Sequence, residues 1–180
     1  MRELSLNVMD VVQNSITAKA TLIQVAEKWE GSSLVITIQD NGSGMTKEQV
    51  ESVVNPFYTT RTTRDVGLGV PLFKMACEQT GGAFSIASEK GGGTLVTARF
   101  AAGHIDMTPV GDMDETILLL ITCNPDIDFV YEKEKDGRGF TLDTRELREV
   151  LGGDVPLSSP DVAGWIRGYL KEQQEELNSS

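Results

Sequence analysis

A chain of 180 residues, 39% hydrophobic and 24% charged, has the material for one well-packed domain with an extension, which excludes a disordered polypeptide. Its net charge of −11 is lopsided: Lys and Arg number 9 against 10 acids over residues 1–101, but 7 against 17 over residues 102–180. That balance argues against nucleic acid or an anionic membrane as partner, and leaves the acidic half as a solvated face or a dock for a basic protein.

The N-terminal segment predicts a helix from about Glu3 to Ala18, because Leu4, Val8, Val11, Val12 and Ile16 recur at three- and four-residue spacing. No apolar leader precedes it and the longest apolar run, Ile117–Ile121, is too short to cross a bilayer, so a cytoplasmic protein is expected. Two alternating strands follow, Thr21–Ala26 and Ser33–Gln39, with Glu30-Gly-Ser-Ser as their turn. Thr46-Lys-Glu-Gln49 is a capping box opening a short helix to about Val54, which Pro56 stops. A Thr- and Arg-rich loop leads to a helix over Leu68–Thr80, closed by Gly81-Gly82, and then to a hairpin of Ala83–Ser88 with Thr94–Phe100. The order predicts a two-layer α/β sandwich with helices on one face of a mixed sheet.

Residues 102–114 read as a linker, and residues 115–180 as an acidic extension of ββ(β)αα pattern packed on the core. Glu115–Thr122, with its apolar centre Ile117–Ile121, and Asp128–Lys133 are taken as strands. Phe140-Thr-Leu pairs back across the Asp136-Gly137 turn, and helices close the chain over Thr144–Leu151 and from Ser159-Pro160 to about Leu177. Cys77 and Cys123 have neither metal nor disulfide spacing and are expected to be buried thiols.

Four motifs carry chemistry. Asp10 and Asn14 lie four apart on the first helix, so they share one row: a carboxylate able to take a proton from an attacking water, and an amide oxygen suited to a hard cation. Asp40-Asn-Gly-Ser-Gly44 places an acid at a strand end, where it can accept a hydrogen bond from the exocyclic amine of adenine; its glycines permit close backbone approach. Gly67-Leu-Gly69 opens a helix whose amides can face phosphate, with Arg61 and Arg64 in the loop before it. Gly91-Gly-Gly-Thr94 forms a hairpin turn. Each motif alone is ordinary; an Asx turn or a polar helix edge would account for it.

Their order resembles the ATP-binding domain of the GHKL superfamily, which takes in gyrase, heat-shock chaperone ATPases, histidine kinases and mismatch-repair ATPases. The resemblance covers residues 1–101. Asp10-Val-Val-Gln-Asn-Ser-Ile-Thr-Ala-Lys-Ala20 is similar to the mismatch-repair N-box, with aspartate where that box has glutamate. Asn55-Pro-Phe-Tyr-Thr-Thr-Arg61 and Gly67-Leu-Gly69 are similar to boxes of sensor histidine kinases, with Val66 where a glycine is expected. The resemblance implies ATP and Mg²⁺ as ligands. Asp10 is then the catalytic base and Asn14 the Mg²⁺ ligand, while Asp40, Gly42, Gly44 and Met45 surround the base. Phe57 to Val66, including Thr60 and Arg61, becomes the lid, and Gly67, Leu68, Gly69 and Thr94 line the nucleotide.

A single histidine, His104, follows the last core strand with no helical pattern around it. It reads as a linker residue and not as a phospho-acceptor, so a stand-alone kinase acting in trans, or a slow ATPase, is expected. Lys133, Lys135 and Arg138 are conceivable donors to the γ-phosphate. The alternative is a nucleotide sensor whose lid changes partner binding with little turnover.

Overall fold

In a computed structural model, which describes residues 3–55 and 68–179, the chain forms one six-stranded sheet with its helices against one face. The elements are α1 (Leu4–Thr17), β1 (Leu22–Glu30), β2 (Ser33–Asp40), α2 (Lys47–Val54), α3 (Gly69–Glu78), β3 (Ala83–Ser88) and β4 (Thr94–Ala101). They continue with α4 (Met113–Cys123), β5 (Asp128–Lys135), β6 (Arg138–Asp143), α5 (Thr144–Leu151) and α6 (Pro160–Asn178). Strand order is β3-β4-β2-β1-β5-β6; β1 and β5 run parallel and every other neighbouring pair is antiparallel. The mixed α/β sandwich expected for the core is therefore present, and β5 and β6 continue the same sheet beyond β1.

Alternation sets the layers. Leu34, Ile36 and Ile38 of β2 stand opposite Phe100, Ala98 and Val96 of β4, and all six are buried beneath the helices. Ile23 and Val25 of β1 continue that face and meet Phe129 and Tyr131 of β5. Helix α1 lays Leu4, Val8, Val11 and Val12 on this floor, and α3 adds Val70 and Phe73, whose ring packs against Phe84 and Phe100. No side chain caps α1. Instead its first amides, of Leu4 and Ser5, donate to the carbonyls of Pro109 and Val110, so the segment before α4 serves as a backbone cap.

The run Ile117–Ile121 corrects the expectation of a strand: it lies within α4. A short apolar run does not distinguish a buried strand from a buried helix. The deciding signals precede it, where Asp112 accepts the Glu115 amide at 3.0 Å as N-cap and Asp114 and Glu115 occupy the first turn. The extension is thus αββαα. Cys123, at the end of α4, is exposed and not buried as expected, whereas Cys77 is buried and its thiol pKa is pushed up to about 11, chiefly by desolvation.

Under α4 and α6 lies a polar cluster that the sequence does not announce. Glu27 is the third inward position of β1; it accepts the Trp29 indole N–H at 2.8 Å and pairs with Lys133 at 3.5 Å. Lys133 also donates to Gln174 Oε1, and Tyr131 donates to Asp114 Oδ1. Burial raises the Asp114 carboxyl above its ordinary range. A carboxyl with a higher pKa folded than unfolded holds its proton more readily when folded, so the stability it confers falls as pH rises from the unfolded value, about 4, through the raised one. Urea unfolding at a series of pH values rising from about 4 should show the protein losing more stability than its Asp114→Asn variant. Equal losses would remove Asp114 as the cause.

Candidate functional site

Asp40 occupies the position after Ile38 in the inward alternation of β2, directly opposite Thr94 of β4. An acid thus stands where the pattern would continue with an apolar residue, at the end of the sheet beyond the reach of the core. Its carboxylate is held on both oxygens: Ser15 of α1 donates its hydroxyl to Oδ2 at 2.6 Å, and the Gly42 amide donates to Oδ1 at 2.8 Å. Asn41 turns the other way, its Oδ1 accepting the amides of Thr21 and Leu22 at 2.8 and 3.0 Å, and pins the loop to the start of β1.

The loop then meets the β3–β4 turn. Gly91 N–H donates to Ser43 O at 2.6 Å, Met45 N–H donates to Ser88 Oγ at 2.8 Å, and Ser88 Oγ lies 2.8 Å from Thr94 Oγ1. Gly44 has φ +70°, and a Cβ there would come within 1.8 Å of the Glu89 carbonyl oxygen. That contact is backbone and cannot yield cheaply. Gly44→Ala should lower unfolding free energy by about 2–3 kcal/mol. Gly92→Ala in the same turn, whose Cβ would meet only ordinary contacts from 3.4 Å, should cost little. Denaturant midpoints of the two variants check the contrast.

Between α1, α2 and the ends of β2 and β4 lies a cavity of about 320 Å³, at the lower end of the range for small-molecule sites, roughly 300–1,000 Å³. Ile38, Val70, Ile86 and Val96 supply apolar wall, while Asn14, Asp40 and Thr94 supply polar groups. A cavity with apolar walls and a carboxylate among its lining groups suits an aromatic heterocycle with a donor on its rim.

The structure brings together five of the residues expected at the site: Asn14, Asp40, Gly44, Met45 and Thr94 all line the cavity. Gly42 stands behind it, where its Cα lies so close to Ala18 that a Cβ would meet the Ala18 oxygen at 2.8 Å. Asp10 and Gly69 adjoin each other beside the cavity: a Cβ on Gly69, the first residue of α3, would come 2.7 Å from the Asp10 Cβ. The N-terminal end of α3, with its partial positive charge, therefore abuts Asp10. Leu68, expected to line the nucleotide, lines instead a separate surface groove with Val54, Pro71 and Met75. Phe57, Thr60, Arg61 and Gly67 lie outside the described residues, as does the expected lid.

Sequence reasoning missed Ser15 and Lys90, which also line the cavity. Ser15 had a legible signal: it neighbours Asn14 and is a polar residue on the buried side of α1. Lys133 and Arg138 are committed elsewhere, Lys133 to Glu27 and Gln174, Arg138 to the Leu177 carbonyl at 2.9 Å. Lys133 stands opposite Glu27, four residues along β1 from Ile23, the partner of Asp40, a distance of about 13 Å along the strand. His104 is exposed, accepts the Asp106 amide through Nδ1 at 3.0 Å, and does not line the cavity.

No three His, Cys, Asp or Glu side chains among the described residues come together as a metal cluster. The donor set at the cavity is of another type. One amide oxygen, from Asn14, suits a hard cation that brings most of its ligands with it as phosphate oxygens and waters. No helix among the described residues is long and apolar enough to cross a membrane.

Comparison with known proteins agrees with this geometry. A family profile described as histidine kinase-, DNA gyrase B-, and HSP90-like ATPase matches residues 2–104. Sporulation kinase C of Bacillus subtilis is 29% identical over 89 residues, which cover 48% of this chain and 21% of that protein. Sensor histidine kinase ZraS of Escherichia coli K12 is 30% identical over 76 residues, 42% of this chain and 16% of the kinase. The chain thus spans about a fifth or less of the length of these relatives. Among solved structures, the N-terminal domain of a DNA repair protein superposes with a TM-score of 0.56 at 16% identity, over 79% of this chain and 53% of that one.

Proposed function

The chain belongs to the histidine kinase-, DNA gyrase B- and HSP90-like ATPase family, an ATP-binding class, and we propose from that premise that it binds Mg-ATP in the cavity beneath α1. We further propose that it acts in the cytoplasm as a stand-alone regulatory kinase or ATPase on a partner protein, the acidic extension being the surface available to a basic partner. One observation carries the nucleotide reading: Asp40, fixed on both oxygens, lines an apolar-walled cavity that Asn14 also lines.

In this reading the adenine 6-amino group donates to a free lone pair of Asp40, and Met45 and Ile86 flank the ring. Asn14 would hold Mg²⁺, which when bound would offset the charge of the phosphates. Asp10, beside the N-terminal end of α3, accepts the proton of the attacking oxygen, from water or an acceptor side chain. The bond from the γ-phosphorus to its bridging oxygen breaks as the new one forms, and ADP leaves. A second reading is favoured by Asp10 itself, which is one methylene shorter than the glutamate of the mismatch-repair box: the domain binds ATP and changes its partner surface with little turnover.

Calorimetric titration of ADP and ATP with Mg²⁺ tests the site. Label from γ-phosphate followed into inorganic phosphate or a co-purified protein then separates hydrolysis from transfer. Binding with label in neither product leaves the sensor, and absence of binding ends both readings.

A further inference from the structure

The cavity contains one feature that the assignment of adenine to Asp40 leaves unused. Lys90 is the only cation among its described lining residues, and its ammonium has no ion pair or hydrogen bond among the described residues. The turn that carries it is fastened to the cavity loop by the Gly91–Ser43 hydrogen bond at 2.6 Å, and closed on itself by Gly92 N–H to Glu89 O at 2.8 Å. Lys90 is thus a cation on a fixed support, with an accessible cavity before it.

The orientation of a bound nucleotide follows from the groups around Asp40. From α1 the cavity is lined by Asn14, and beyond it, next to Asp10, the N-terminal end of α3 has amides that can donate to a phosphate chain. From the loop after β2 and the β3–β4 hairpin it is lined by Gly44, Lys90 and Thr94. Ribose and phosphates leave a purine from its five-membered ring. With the 6-amino group on Asp40 and the phosphates toward Asn14, the five-membered ring faces α1 and the six-membered ring faces the β3–β4 turn.

We propose that Lys90 is a specificity-determining residue that donates to a ring nitrogen of the six-membered ring, N1 or N3. The acid and the lysine then read two sites on one purine: Asp40 requires a donor, and Lys90 requires an unprotonated ring nitrogen. Guanine and hypoxanthine carry a proton on N1 and an oxygen at position 6, so a contact at N1 would reject them at both points. This inference rests on the nucleotide reading above.

The test pairs a variant with altered ligands: ATP, 1-deaza-ATP and 3-deaza-ATP are titrated against the wild type and Lys90→Met, which keeps the apolar stem and, being at an exposed turn, the fold. The wild type should bind one of the two analogues roughly tenfold more weakly than ATP. Lys90→Met should bind ATP more weakly by a similar factor, and should no longer distinguish ATP from that analogue. If the variant loses affinity but keeps the analogue penalty, the lysine acts only through long-range charge and the contact is refuted. Equal binding of all three ligands by the wild type, or ATP affinity unchanged in Lys90→Met, refutes it too. A wild type that binds no ATP instead brings down the nucleotide reading, and the inference with it.

Discussion

Asp40→Asn is expected to weaken ATP binding by about ten- to a hundredfold, the cost of losing one charge-assisted hydrogen bond of about 1.5–3 kcal/mol. The carboxylate accepts from Ser15 on Oδ2 and from Gly42 on Oδ1, which leaves one lone pair on each oxygen for a ligand. An asparagine has a single acceptor oxygen. Placed toward Gly42, that oxygen keeps the backbone bond but turns an NH₂ group toward Ser15, whose hydroxyl can rotate to accept it, and toward the adenine amine, donor against donor. Placed toward Ser15, it sets the NH₂ against the Gly42 N–H and undoes the turn. In the first placement the 6-amino group loses its acceptor; in the second it keeps only an uncharged one at the expense of the turn, whereas a 6-oxo base gains a donor in the first. Calorimetry with ATP and GTP should therefore show ATP affinity falling and the preference for ATP over GTP narrowing. Ser15→Ala should reproduce part of the ATP loss without the change in preference, since it frees the carboxylate without removing its charge. An Asp40→Asn protein that binds ATP like the wild type would remove the adenine assignment.

Asp40 also shows what was legible in the chain. The alternation Leu34, Ile36, Ile38 fixes which face of β2 is inward, and one further step puts Asp40 on that face at the sheet's end. Asn14 was legible in the same way, because the apolar row of α1 defines its buried side. Local patterns of this kind need no distant partner. Ile117–Ile121 is different: five apolar residues satisfy a strand and a helix equally, and the choice falls to Asp112 and to the packing of α4 against α6. Glu27 was illegible for a stronger reason. As the third inward residue of β1 it should be apolar, and the groups that accommodate it, Lys133 and Tyr131, arrive from β5 a hundred residues later. Lys90 looked like an ordinary turn residue, because only the stapling of its turn to Ser43 places it at the cavity.

Asp10→Asn should lower turnover by about a hundred- to ten-thousandfold while leaving nucleotide affinity nearly unchanged. The side chains are isosteric, so the close fit of Gly69 against the Asp10 Cβ is kept, and Asp10 does not line the part of the cavity assigned to the base. What disappears is the only group in that row able to accept a proton. Reach is a handicap, because a base displaced by about an ångström forfeits roughly a hundredfold in rate. Asp10→Glu restores the methylene and should raise phosphate release above wild type, provided Gly69 leaves the longer chain its path past α3. Single-turnover release of labelled phosphate, with affinities measured in parallel, separates the cases. If wild type, Asp10→Asn and Asp10→Glu all bind ATP and all release phosphate at the same background rate, Asp10 is no base, and the domain reports nucleotide and does not consume it.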